Sequence, residues 1–272
     1  MVRGPGSRRL DILIVERGLA SSRAKAQALI LAGRVSSGGV RIGKAGALLR
    51  LDAALEITPA PHYVGRGGPK LAAALAAFGV DAVERDAMDV GSSTGGFTQA
   101  LLEAGARRVI ALDVGRGQLD WKLRSDPRVV VMDGVNARYL AASTLPFRPS
   151  LAVIDVSFIS LDQVLPAVAA CLEARREIVA LVKPQFEVGR GKVGRGGIVR
   201  EPELHRQVLR RISSFARDRG WGVVGISASP VRGAEGNAEF FLRLAPDEPS
   251  LEAADLDRRI DSAIASLAVP PR

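Results

Sequence analysis

The chain has 272 residues, 47% of them hydrophobic, and a net charge of +9. That is enough for a buried core spread over a full α/β domain and a smaller companion, while a single cysteine, Cys171, excludes a disulfide framework and fits a reducing compartment. Asp155 interrupts the longest apolar run, SLAVIDVSFISL, and the opening MVRGPGSRR reads as a frayed tail without a secretion signal, so a cytoplasmic protein that does not insert stably in membranes is expected.

Charge is unevenly placed. Residues 1–62 carry ten Lys and Arg against four Asp and Glu, and the rest of the chain is nearly balanced. A basic module joined to a neutral domain suits a polyanion partner, although a solvated basic face gives the same count. The stretch RRLDILIVERGLA has helical spacing and stops at Gly18. SSRAKAQALILAG follows as a second helix, with Ser21 or Ser22 as N-cap and Gly33 as C-cap. RVSSGGVRIG and ALLRLDAALEIT read as short strands around a Ser-Gly-Gly turn. The module, residues 1–60, can present Arg17, Arg23, Lys25, Arg34 and Arg41 to a phosphate backbone, with Arg8 as a further candidate RNA contact. A Pro/Gly-rich connector, 61–69, holds Arg66, another candidate contact.

Residues 70–247 alternate helices and apolar strands. KLAAALAAFG, 96–104, 161–173 and 202–219 read as helices. AMDVG, RRVIALDVG, RVVVMDG, SLAVIDVSF and REIVALVKP read as strands, and WGVVGISASP with AEFFLRLA closes as a β pair. Continuously apolar strands between helices predict a Rossmann-like, mostly parallel sheet covered on both faces, with ligands beyond the strand C-termini. Residues 248–272 form a helical tail. The loop 186–202 is rich in glycine and base, either a floppy connection or a basic lid, and adds Arg190 and Arg195 to the candidate RNA contacts.

DVGSSTGGFTQALLEAG is a strand, a glycine turn and a helix. It has neither the Gly-Lys-Ser/Thr of a phosphate loop nor the G-x-G-x-x-G spacing. Acids stand at successive strand ends instead: Asp89, Asp113, Asp133 and Asp155. Such acids suit a cofactor with a ribose and positive charges but no phosphate, which describes S-adenosyl-L-methionine, although a plain tight turn remains open for the glycines alone. The candidate cofactor residues are these acids with Gly91, Ser92, Ser93, Thr94, Gly95, Gly96 and Phe97. His62 and His205 stand apart from each other and from Cys171, so no metal site is expected.

The ordered set RLDILIVERGLASSRAKAQALILAGRV, GRGGPKL, DVGSSTGGFTQALL, ALDVGRGQL, DVSFISL, LVKPQFEVGRG, GIVREP and GNAEFF resembles the TlyA family over residues 8–244. The resemblance implies an RNA-binding module of ribosomal-protein S-four type and an FtsJ-like methyltransferase domain. It also implies 2′-O-methylation of cytidine in ribosomal RNA or ribosomal subunits, and a catalytic tetrad of Lys70, Asp155, Lys183 and Glu239. Chemistry agrees with that set. A ribose hydroxyl needs a base, and a lysine serves if a neighbouring lysine helps to keep it neutral, which suggests Lys183 as base, Lys70 as its neighbour and the acids as holders. Taken singly, Lys70 reads as well as a surface lysine opening a helix, and Glu239 as a solvent-face strand residue. The family also carries a hemolysin name, and a binding-only protein is a third possibility; a membrane-active protein calls for an apolar or amphipathic segment that this sequence does not display.

Overall fold

The computed structural model describes residues 6–59, 61–174, 176–189 and 191–267. Arg190 lies outside them. The chain divides into two compact units, Met1–His62 and Tyr63–Arg272.

In the first unit, helices Leu10–Glu16 and Arg23–Leu31 pack through Leu10, Ile14, Ala26 and Ile30, which are fully buried with Val35. The Ser22 hydroxyl accepts from Lys25 N and caps the second helix. Val35–Ser37 pairs with Val40–Arg41 across Gly38 and Gly39, both at positive φ, and with Glu56–Ile57. The N-terminal stretch is not a frayed tail throughout: Ser7–Arg9 pairs antiparallel with Leu48–Arg50. Three polar residues carry no strand periodicity, so only the partner strand makes them one.

The second unit is a seven-stranded sheet. Its strands are β1 (Asp86–Val90), β2 (Arg108–Asp113), β3 (Val129–Asp133), β4 (Leu151–Ile154), β5 (Glu177–Val182), β6 (Gly222–Ala228) and β7 (Phe240–Ala245), in the order β6-β7-β5-β4-β1-β2-β3. Strands β1 to β5 run parallel, and β7 runs antiparallel between β5 and β6. Alternate residues of each strand face opposite sides, so β5 sends Ile178, Ala180 and Val182 into one core and Val179 and Leu181 into the other. Helices α1 (Gly67–Phe78) and α2 (Gly96–Glu103) cover one face. Helices α3 (Leu161–Cys171), α4 (Pro202–Arg217) and α5 (Ala253–Ser266) cover the other. Helix α1 opens three residues before Lys70, inside the stretch read as connector. Helix α5 packs its Leu256, Ile260 and Ala263 into the core.

Candidate active site

The order of strands reverses at β1 and β4, and the glycine turn lies at that point. After Val90 the chain passes Gly91 (φ +89), Ser93 (φ +47) and Gly95 (φ +100) into α2. Gly91 N and Ser92 N both donate to Leu112 O, which pins the turn to the end of β2. A Cβ on Gly91 would sit 2.5 Å from Asp155 O, so glycine alone lets the turn lie against the segment leaving β4. A Cβ on Gly96 would stand 2.8 Å from Gly68 N, and this close approach of α1 to α2 carries Lys70 to the turn.

Two cavities adjoin here and share Gly91, Ser93, Asp155, Ser157 and Phe158. The first holds about 490 Å³ and is lined by Asp113, Asn136 and Gln118 among apolar Leu112, Val114 and Ile159. The Asp113 carboxylate accepts from Ser93 N at 2.8 Å and Gly115 N at 2.7 Å, which fixes its orientation. The second cavity, about 420 Å³, is lined by Lys70, Lys183, Glu239, Arg66, Thr94 and Phe97, with Ser92 and Gly96 also in its wall. A separate, largely apolar cavity under Leu165, Phe215 and Trp221 has Arg219 as the charged residue described in its wall.

The four polar residues of the second cavity form two ion pairs. Lys70 Nζ donates to Glu239 Oε2 at 2.6 Å, with side chains only 8% and 3% exposed. Lys183 Nζ lies 2.7 Å from Asp155 Oδ1 and donates a hydrogen bond to Ser157 Oγ at 2.8 Å. The contact with Asp155 is ionic rather than directional, since Asp155 Oδ1 accepts no well-aligned hydrogen bond. Each lysine thus has its own carboxylate. Phe97 stacks on Phe241 at 6.2 Å and braces the strand that delivers Glu239.

Three of the sequence candidates for the cofactor do not reach either cavity. Asp89 is fully buried; its Oδ2 accepts from Thr98 Oγ1 at 2.7 Å, and its Oδ1 has no partner. Burial, opposed by the Thr98 hydrogen bond and reinforced by the charge of Asp155, pushes its carboxyl up to about 7. Its position on β1 points it under α2 rather than outward. Asp133 accepts from Gly117 N and pairs with Arg124, while Asn136 takes the place facing the cavity. A Cβ on Gly95 would strike Leu119 and Leu123, so this glycine serves the packing of the Trp121–Arg124 helix.

Ser157 and Phe158 were not singled out by the sequence. Phe158 is 90% exposed at φ +64, a backbone region a bulky residue rarely adopts, and its ring lies 4.9 Å from that of Phe186. The only signal was a large aromatic in a turn beyond an apolar strand. Glu187 was missed as well. It is buried, accepts from Ser160 Oγ at 2.5 Å and Leu161 N at 2.8 Å, and pairs with Arg211. It joins the turn after Lys183 to the N-terminus of α3, and burial raises its carboxyl above the usual range.

Several basic residues of the first unit are already engaged. Arg23 and Arg9 both bind the buried Asp11, and the Arg9 guanidinium holds that carboxyl well below its ordinary value. Arg17 donates to Leu51 O and Ala53 O, Arg34 to Thr58 O, and Arg8 pairs with Glu16. Arg41 lies beside Gly33. Lys25 is exposed on the second helix. Arg195 stands exposed on a short turn, Arg195–Gly197.

A seven-stranded sheet with a glycine turn at its switch point, adjoining paired lysines and carboxylates, defines a methyltransferase-type α/β domain. The family model for FtsJ-like methyltransferases matches residues 63–245, and the S4 domain model matches residues 8–54. The 16S/23S rRNA (cytidine-2'-O)-methyltransferase TlyA of Mycobacterium tuberculosis is 44% identical over 94% of this chain and 97% of its own length. Hemolysin A of Brachyspira hyodysenteriae is 40% identical over 86% of this chain and 98% of its own. A solved Streptococcus thermophilus structure carrying a hemolysin name superposes with a TM-score of 0.73 at 40% identity, covering 96% of this chain and 97% of that one. The chain belongs to the TlyA family of FtsJ-like methyltransferases with an S4 domain. Among the described residues, no helix is long and apolar enough to cross a membrane, and no cluster of side chains suits a metal ion.

Proposed function

We propose that this chain is a cytoplasmic enzyme that uses S-adenosyl-L-methionine to methylate the 2′-hydroxyl of cytidine in ribosomal RNA. The observation that carries this reading is the meeting of Lys70, Asp155, Lys183 and Glu239 in a cavity that opens into a second one lined by Gly91 and Asp113. The cavity lined by Asp113 fits the cofactor. Asp113 offers a carboxylate to a ribose diol, Leu112 and Val114 offer apolar walls to a base, and no described residue lining it is basic, as a phosphate would require.

When bound, the cofactor supplies an electrophilic methyl group on a sulfonium. In its neutral form Lys183 is the group that takes the hydroxyl proton; Asp155 and Ser157 hold its Nζ in place, and the Asp155 carboxylate stabilises the ammonium that forms. Glu239 fixes Lys70, which orients the hydroxyl for in-line attack. The exposed ring of Phe158, bordering both cavities, gives a nucleobase a surface to stack on. The S4 unit supplies a second grip on RNA.

Transfer of tritiated methyl to purified ribosomal subunits, followed by mapping of ribose methylation, tests the reading. Label on cytidine 2′-oxygens is expected. Leakage of liposomes without any methyl transfer would instead favour the hemolysin reading, and neither result with intact cofactor binding would leave an RNA-binding protein alone.

A further inference from the structure

Asn237 is 3% exposed and belongs to neither ion pair, yet its side chain ties its own stretch of chain to a distant one. Its Oδ1 accepts from Val199 N at 3.1 Å, and its Nδ2 donates to Gly197 O at 2.9 Å. The amide thereby satisfies one backbone N–H and one backbone carbonyl of the basic glycine-rich segment, as a neighbouring strand would. Within that segment Gly194 N donates to Ile198 O and Gly197 N to Gly194 O, closing the turn that displays Arg195. The far end is held too, since His205 bonds Val199 O at 3.1 Å.

Asn237 also has a fixed relation to the catalytic residues. It precedes Glu239 by two positions, about 7 Å along an extended chain, and has the same parity as Glu239 and Phe241. Ser229 N bonds Glu239 O and Gly233 N bonds Asn237 O, so this approach to β7 is itself tied down. The chain reaches Asn237 through two successive left-handed residues, Glu235 (φ +59) and Gly236 (φ +88), and a non-glycine there is held against its preference. A surface connection does not need that geometry, whereas delivery of an amide to a chosen place does.

We propose that Asn237 is a positioning residue for the RNA substrate: it holds the Gly194–Val199 turn to the stretch leading into β7 that carries Glu239, so that Arg195 meets a backbone phosphate of the RNA strand entering the Lys70–Asp155–Lys183–Glu239 cavity. The proposal rests on the reading of the chain as an RNA methyltransferase. The amide acts through Arg195 and touches no reacting atom. Glycine on either side of Arg195, at 194, 196 and 197, gives the turn its tight path, and Asn237 supplies the order that those glycines cost.

The test measures methylation of ribosomal subunits by the full chain across a salt series, with calorimetric S-adenosylmethionine affinity and thermal midpoint alongside. Arg195→Ala should raise the KM for RNA roughly three- to tenfold and lower the salt slope of RNA binding by about one. Asn237→Ala should do the same, with KM rising more than kcat falls and cofactor affinity unchanged. The double substitution should be no worse than either single one, because both remove the same contact. Asn237→Asp keeps the bond from Val199 N but faces Gly197 O with a charge, and should resemble Asn237→Ala. If Arg195→Ala leaves the salt slope unchanged, the proposal is overturned whatever the Asn237 variants do. It is equally overturned if Asn237→Ala lowers cofactor affinity and the thermal midpoint at a normal salt slope, which marks a structural role. A wild-type chain that methylates no RNA refutes the functional reading instead, and is told apart by that control.

Discussion

Lys70 Nζ and Glu239 Oε2 are 2.6 Å apart in space and 169 residues apart in the chain. Both side chains are almost wholly buried, so removing one partner leaves a stranded charge. Glu239→Ala should destabilise the protein by about 3–5 kcal/mol and abolish methyl transfer. Replacing both with Lys70→Met and Glu239→Leu should restore most of the stability and none of the activity. Urea unfolding beside a methylation assay checks this, and a double variant that regains turnover would remove the pair from the chemistry.

Lys183 is the proposed base, held by Asp155 and Ser157. Lys183→Arg keeps the positive charge and cannot offer a neutral amine. It should cost roughly 10²–10⁴ in kcat, with cofactor affinity close to wild type. Single-turnover methylation measures this, and near-normal turnover would mean that the proton leaves by another route.

Asp113 faces the proposed cofactor cavity with a carboxylate fixed by two backbone amides. Asp113→Asn should weaken S-adenosylmethionine binding by roughly 1.5–3 kcal/mol, since hydrogen bonds to a charged acceptor are lost. Asp133→Asn should leave it nearly unchanged, because that side chain is spent on Gly117 and Arg124. Equal losses in both variants by calorimetry would refute the distinction.

Asp89 gives a dependence on pH. Its folded carboxyl ionises near pH 7, whereas in an unfolded chain it ionises near 4. Between those values the folded protein holds a proton that the unfolded chain has released, so this group's contribution to stability is full below about pH 4 and is lost as pH rises towards 7. The loss is on the order of 4 kcal/mol. Asp89→Asn cannot titrate and should flatten that part of the curve. Urea midpoints at pH 5, 6, 7 and 8 test it, and parallel curves for the two proteins would contradict the burial argument.

In the first unit, Arg23 and Lys25 lie two residues apart and should behave differently. Arg23→Ala removes a bond to the buried Asp11 and should cost roughly 1 kcal/mol of stability. Lys25→Ala should leave the thermal midpoint alone and reduce the salt slope of RNA binding by about one. A salt slope that responds to Arg23 and not to Lys25 would place the RNA elsewhere on the unit.

The sequence by itself determined most of the elements. Local periodicity and turn residues encode the α/β alternation, the glycine turn from Gly91 to Gly96 and the capped helix at Ser22, because each depends on neighbours a few residues away. The motifs also held the four residues of the ion pairs. Tertiary structure alone decided what those residues face. Asp89, Asp113, Asp133 and Asp155 all stand at strand ends, yet sheet parity and the covering helices bury Asp89 beneath Thr98, turn Asp133 to Arg124 and leave Asp113 and Asp155 to line the cavities. Pairing is equally invisible locally: Asp11 claims Arg23, Ser7–Arg9 becomes a strand only against Leu48–Arg50, and Glu239 meets Lys70 only when β7 inserts beside β5. A side chain's type is written in the sequence, but its burial and partner are set by which distant segment folds onto it.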